Sequence, residues 1–469
     1  MGRIISSYIF PHPPLIIPEV GKGQESEALD TINACKKAAK DIKNDKPSTI
    51  IITTPHGPFF DDYIYIPTDD TLKGNMGRFG RNDVSFQFEN ATCLLGKIIS
   101  RARDEGIYSG GLDESIMEQY RISGELDHGA LVPLYYVAKE YTDFKLINIS
   151  VANLPLTELY RFGMCIFDAV KSSDENVVLL ASGDLSHKLS HEGPYGFSPR
   201  GREFDDLFVS SLINLDVEKL LDADEGLCES AAECGLRSFV IMFGALDRYE
   251  LKSDVYSYEG PFGIGYSVAR FAVGSEKETG NILKNVEDKK HLKLKLARDA
   301  EDPYVNLARM TLETYIKDKK VIKVQENIPT ELLEERAGTF VSIKKDGQLR
   351  GCIGTISPTK ENVAEEIIQN AISSGTRDPR FDPVDEDELD SLVYSVDVLK
   401  DSEPINSIEE LDVEKYGVIV RHGMRSGLLL PNLEGIDTPE EQVSIALRKA
   451  GINPNSNYNM ERFEVIRHK

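Results

Sequence analysis

Apolar residues fall into short continuous runs separated by longer stretches of 3.6-residue spacing, which predicts strands alternating with helices. Residues 4–10 are apolar enough for a buried strand, residues 25–42 have helical spacing, and 49–54 (TIIITT) read as a second strand. Residues 84–88 alternate like a strand, 91–105 read as a helix, 144–151 as a strand, 156–172 as a helix and 176–181 as a strand. A long helix is predicted over 226–249 and a glycine-turned hairpin over 253–273. Strands interleaved with helices imply an α/β layer fold with a central mixed sheet flanked by helices. Between these elements, residues 61–83 are rich in Asp, Gly and Asn, and are long enough to serve as a functional cover.

The texture changes after residue 273. Residues 274–291 are polar, charged and weakly periodic, which predicts a linker. Beyond it come a helix over 302–317 with Pro303 in its first turn, two strands within 339–353 turning at 345–347, and a helix over 362–374. Strands at 392–399, 417–421 and 426–430, a helix at 440–450 and a last strand at 463–466 complete an α+β pattern. The expected domains are therefore 1–273 and 292–469.

Composition narrows the function. A formal net charge of −24 argues against nucleic acid as a partner. No run approaches membrane-spanning length and no signal-peptide pattern is present. The six cysteines lack CxxC spacing, which fits a reducing, cytoplasmic setting rather than a zinc ribbon or disulfide framework.

Candidate chemistry gathers at strand ends. His12 follows the first strand within FPHPPL, where flanking prolines stiffen the loop. His56 follows the second strand between Pro55 and Gly57. In open α/β sheets that edge is where ligands bind. Either histidine alone reads as a loop or core residue; the repeated context points to a metal site. His128 lies in GELDHGALVPL, and His187 ends SGDLSH after the strand at 176–181. His191 reads as a surface neighbour. Glu233 sits in the small and apolar stretch ESAAECGL, where a carboxylate is costly unless it is paired or bound to a metal. An ion pair with Arg237 is the plain alternative. Two histidines and one carboxylate form the facial set of non-haem Fe(II) enzymes, leaving positions open for O2 and substrate.

The motifs HPPL, TTPHG, DHGALVPL, SGDLSH and AAECG, in this order over residues 1–273, resemble the class III extradiol ring-cleaving dioxygenases, of which protocatechuate 4,5-dioxygenase is the best-known type. The resemblance implies Fe(II) bound by His12, His56 and Glu233, with His187 as acid/base and His128 orienting substrate and oxygen. It further implies O2 as co-substrate and a catechol-type aromatic substrate. The related MEMO-like branch tends to carry a cysteine at the late ligand position, and Cys234 is adjacent to Glu233; that branch implies a metal-binding or scaffold protein. Zn²⁺ on the same ligands, serving hydrolysis, is a further alternative.

In the second domain, LRGCIG (349–354), TRDPRFDPV (376–384), YGVIV (416–420) and GLLLP (427–431) resemble the AMMECR-type family. Arg350 and Cys352 are expected on one strand face, where a cation would favour the thiolate. A structural cysteine in a glycine-bulged strand is the plain alternative. Cys352 is the candidate nucleophile, with Arg350, Arg377, Asp378 and His422 as candidate ligand-binding residues. AMMECR-type and MEMO-like proteins are associated with a radical-SAM protein, which the resemblance implies as a partner. The sequence leaves the oligomeric state open, a homo-oligomer included.

Overall fold

The structure is a computed structural model and describes residues 1–324, 328–345, 347–433 and 435–469. Asp346, in the turn expected at 345–347, lies outside the described residues. The chain divides into two compact units, Met1–Asp288 and Lys289–Lys469.

The first unit is built on a six-stranded mixed sheet. In spatial order its strands are Lys145–Ser150, Thr49–Thr54, Asn176–Ser182, Arg3–Phe10, Tyr266–Glu276 and Tyr249–Glu259. The first four run parallel, and the last two close the sheet as an antiparallel hairpin. Side chains alternate between the faces, so the central strands feed two cores. Ile9, Ile51, Ile149 and Leu179 pack under the helices Thr92–Asp104, Leu156–Lys171 and Leu236–Leu246. Phe10, Ile52, Leu146 and Leu180 pack under Leu29–Asp45 and His128–Glu140. Burial on both faces explains why these strands read as continuous apolar runs.

Register decides where the histidines go. Phe10 pairs with Ser182, and Thr54 with Ser150. The carboxyl ends of four parallel strands are therefore level, and the loops carrying His12, His56, Asp184 and His187 all leave from that edge.

Three expectations are corrected. Residues 61–83 are not a bare loop, since most of a β-hairpin, Thr71–Met76 with Arg81–Glu89, lies there. The long helix at 226–249 is broken into Glu225–Ala231 and Leu236–Leu246, because Ala232 turns left-handed (φ 52°). The expected linker is mostly ordered: the last strand runs to Glu276, and a helix covers Ile282–Asp299.

The second unit has two four-stranded sheets. One joins Gln348–Gly354, Thr339–Lys345, Leu392–Leu399 and Val465–His468, backed by helices Pro303–Asp318 and Val363–Thr376. The other joins Glu403–Ile405, Asn459–Phe463, Gly417–His422 and Arg425–Leu429 under helix Pro439–Ala450. Among the described residues no helix is long and apolar enough to cross a membrane.

Candidate metal centre

His12 is buried at the heart of the first unit's site. Its Nδ1 lies 2.9 Å from Ser182 Oγ, and that hydroxyl donates to the Gly129 carbonyl at 2.5 Å. Since the hydroxyl proton is committed to the carbonyl, Ser182 Oγ accepts from His12 Nδ1–H. The His12 Nε2 lone pair is thereby turned inward, the tautomer a metal ligand needs. Three donors approach that atom: His56 Nε2 at 2.8 Å, Cys234 Sγ at 3.6 Å and Asp184 Oδ2 at 3.7 Å. Two triads of potential ligands meet at His12, one with His56 and His128 and one with Asp184 and Cys234, each with its ligand atoms within 4.8 Å of one another.

Glu233 does not join either triad. Its carboxylate turns back and accepts the Leu236 N–H at 2.7 Å, at the start of the helix after the break. The ion pair with Arg237 does not form as a contact either; Arg237 donates to Asn153 at 2.8 Å. Cys234 takes the inward place because the chain leaves the helix at Ala232. The loop then meets the loop after strand Asn176–Ser182 backbone to backbone. A Cβ on Gly183 would lie 2.2 Å from Gly235 Cα, so only glycines permit the approach. The contact is tied by Asp184 N–H to Cys234 Sγ at 3.3 Å and Cys234 N–H to Asp184 O at 3.5 Å.

His128 opens its helix. Asp127 accepts the Gly129 and Ala130 N–H groups at 2.7 and 3.3 Å and the Thr54 hydroxyl at 2.6 Å, which ties the helix start to the second strand. The His128 ring stacks on His56, with ring centroids 4.3 Å apart, and meets Phe79 of the hairpin turn at 5.4 Å. His187 donates Nδ1–H to the Ala232 carbonyl, which leaves Nε2 as a free base. The strained Ala232 thus positions both the thiol and the base.

Burial keeps the imidazoles neutral. His12 is held well below its ordinary range by burial and by the neighbouring histidines; His56 and His128 are each lowered to about 4, and His187 is lowered as well. Burial raises Asp184 to about 7, partly offset by the His12 N–H it accepts. The Cys234 thiol is pushed up by burial and by Asp184. Neutral imidazoles, beside a thiol that gives up its proton on coordination, are the donor set that a metal cation takes. The adjoining cavity, about 700 Å³, is lined by His12, His56, His128 and His187 together with Phe79, Tyr195, Phe262 and Tyr266.

In the second unit Cys352 accepts from the Ser342 hydroxyl at 3.2 Å, and its N–H donates to Asp378 at 2.9 Å. Asp378 is gripped by Arg380 (2.7 and 3.0 Å), whose charge holds its carboxyl down at about 2. Arg350 does not share a face with Cys352 as expected. The pairing slips from Ile343–Gly351 to Lys344–Leu349, so Arg350 is the extra residue of a bulge. It pairs instead with Glu388 at 2.8 and 3.0 Å. Burial raises the Cys352 thiol, which Ser342 and Arg380 only partly offset, so the expected thiolate is disfavoured. Arg377 is exposed at a helix end. His422 is exposed and donates to Asn457 O at 2.6 Å, apart from the residues around Cys352.

The model of the catalytic LigB subunit of aromatic ring-opening dioxygenase matches residues 6–269. The chain belongs to the LigB family. The AMMECR1 model matches residues 305–468, so this LigB-family chain carries a C-terminal AMMECR1 domain. A protein of Clostridium acetobutylicum is 43% identical over 463 residues, covering 98% of both chains, and is therefore similar across both domains. A Thermotoga maritima protein is 53% identical over 171 residues, covering 36% of this chain and 98% of its own. The crystal structure of protein PH0010 from Pyrococcus horikoshii shares 34% identity, covers 35% of this chain and 88% of its own, and has a TM-score of 0.34.

Within the LigB motifs, sequence reasoning missed Ser182 and Asp184, although both stand in SGDLSH. Their signal was the run of small and acidic residues before His187. Phe79 and Tyr195 carried no signal, because they reach the cavity from distant loops.

Proposed function

We propose that the LigB domain is a metal-dependent oxidoreductase with a thiolate-containing centre, in which His12 is joined by His56 on one side and Cys234 on the other. The observation carrying this reading is that Cys234 Sγ, not the Glu233 carboxylate, lies beside His12 Nε2. A metal about 2.1 Å from nitrogen and about 2.3 Å from sulfur has ligand edges of roughly 3–3.6 Å; the 3.6 Å separation of Cys234 Sγ from His12 Nε2 fits such an edge, and the 2.8 Å between the two imidazole nitrogens is shorter than one. Asp184 and His128 stand close enough to complete or orient the set. Imidazole with thiolate suits iron, and the family includes iron enzymes; Fe(II) with O2 as co-substrate is the proposed pairing. A cysteine here is also the mark of the MEMO-like branch.

Bound ferrous iron would supply a Lewis acid and a one-electron redox centre. The chain's own residues do the rest. Phe79, Tyr195, Phe262 and Tyr266 offer ring faces to a planar aromatic substrate and displace water from it. His187, neutral with its proton fixed on Nδ1, takes a proton from a substrate hydroxyl at Nε2. His128, stacked on His56, presents a second imidazole to the same cavity and orients the substrate.

The test is metal analysis of anaerobically purified wild type, Glu233→Ala and Cys234→Ala, with oxygen uptake on a panel of catechols. Stoichiometric iron in wild type and Glu233→Ala, lost in Cys234→Ala, is expected, together with uptake in the wild type. Iron lost in Glu233→Ala alone would overturn the thiolate set. Bound zinc without oxygen uptake would replace the oxidoreductase with hydrolytic or scaffold chemistry.

A further inference from the structure

The second unit encloses a cavity of about 1210 Å³ that the metal chemistry does not use. Its walls are largely apolar, with Phe340, Leu349, Ile356, Leu428 and Leu430 among them. The charges in its wall are unevenly matched. Asp397 is taken by Arg467 in a two-pronged pair at 2.7 and 3.1 Å, and Glu301 by Arg309 at 2.8 and 3.0 Å. Arg380 is committed to Asp378, and Arg298 to Leu389 O, Glu313 and Asp390. Both side-chain carboxylates in the wall thus have their own arginine. Lys449, Lys344 and Lys469 are left over: among the described residues none of their ammonium groups has an ion pair or hydrogen-bond partner.

Lys449 occupies the telling position. It projects from helix Pro439–Ala450 and lies within electrostatic reach of Cys352 and Arg380. Lys449 is exposed along its edge of the cavity, so its charge is open to an incoming anion, and the wall carries more cationic side chains than carboxylates. Pockets of this kind, apolar with a few convergent polar groups, are typical small-molecule sites.

We propose that this cavity binds an organic acid with an apolar body, its anionic group held by Lys449 beside Cys352 and Arg380. The bulge at Arg350 serves the site by turning Arg350 away and leaving Leu349 and Cys352 in the wall. Lys344 and Lys469, exposed like Lys449, add to the attraction.

The experiment uses the full chain with 4-phenylbutyrate and its neutral amide as probes. Affinity is read by titration calorimetry, and location by the rate of N-ethylmaleimide labelling at Cys352, measured by peptide mass spectrometry. The acid is expected to bind about fivefold more tightly than the amide, the gain of a solvent-exposed charge pair, and to slow Cys352 labelling as it saturates. Lys449→Gln should bring the acid down to the amide's affinity and Lys449→Arg should keep most of it, both with an unchanged circular dichroism spectrum. Lys344→Gln should cost less than about twofold, and Lys317→Gln, remote from the cavity, nothing. Equal binding of acid and amide, acid binding that leaves Cys352 labelling unaltered, or no acid binding at millimolar concentration would each overturn the proposal.

Discussion

Replacing Gly183 by alanine tests how the site is assembled. The new Cβ would lie 2.2 Å from Gly235 Cα and 2.8 Å from Phe239 Cζ, against a carbon–carbon contact distance of about 3.5–4.0 Å. The deficit, more than about 1 Å, faces backbone. Gly235 cannot retreat, because its own outward side is filled by the Phe239 ring and Asp184 O. The loop bearing Cys234 must therefore shift by roughly 1 Å, while a ligand set tolerates only about 0.5 Å. Overpacking of this kind costs about 1–3 kcal/mol of stability, and a misplaced ligand costs about 10–100-fold in metal affinity. The assay is anaerobic iron titration against a chromophoric chelator, alongside a thermal melt. The control is Gly96→Ala on the exposed face of helix Thr92–Asp104, where an added Cβ meets nothing within 4 Å; it should stabilise by up to about 1 kcal/mol and leave metal affinity alone. Gly183→Ala protein that is folded and destabilised yet binds iron as tightly as wild type would refute the placement of Cys234 among the ligands by this contact.

Ser182→Ala should lower metal affinity about tenfold with little loss of stability, because His12 loses the acceptor that fixes its proton on Nδ1; unchanged affinity in the same titration would refute that relay. Glu388→Gln should weaken the second unit by about 2 kcal/mol at neutral pH, since it leaves the mostly buried Arg350 without its two-pronged partner. Glu388 is held down at about 2, chiefly by Arg350, from an ordinary 4.5. Its stabilisation is therefore complete above about pH 4.5 and fades as pH falls through about 2. Hydrogen-exchange protection of the strand Gln348–Gly354, corrected for intrinsic rates, should differ between wild type and variant at pH 7 and converge near pH 2. A gap that does not narrow would count against this ion pair as its source.

The apolar runs at 4–10, 49–54 and 176–181 determined the parallel strands by themselves, because strands buried on both faces must be hydrophobic throughout. The histidines that follow them were legible for the same reason: a polar, proline-braced residue directly after a buried strand can only emerge at the sheet edge. The ordered set of motifs carried both families. Two choices lay beyond the sequence. Whether Glu233 or Cys234 faces His12 depends on one residue of phase, and a continuous helix over 226–249 is the natural reading of its composition. Only the packing of Gly183 against Gly235 and the left-handed turn at Ala232 break that helix and bring the thiol inward. The face on which Arg350 lies likewise hung on a single bulge, which strand alternation cannot reveal. Periodicity fixes which segments are buried because burial is a local demand on composition. The side chains that meet at a site are fixed by long-range backbone contacts, and these exist only once the chain is folded.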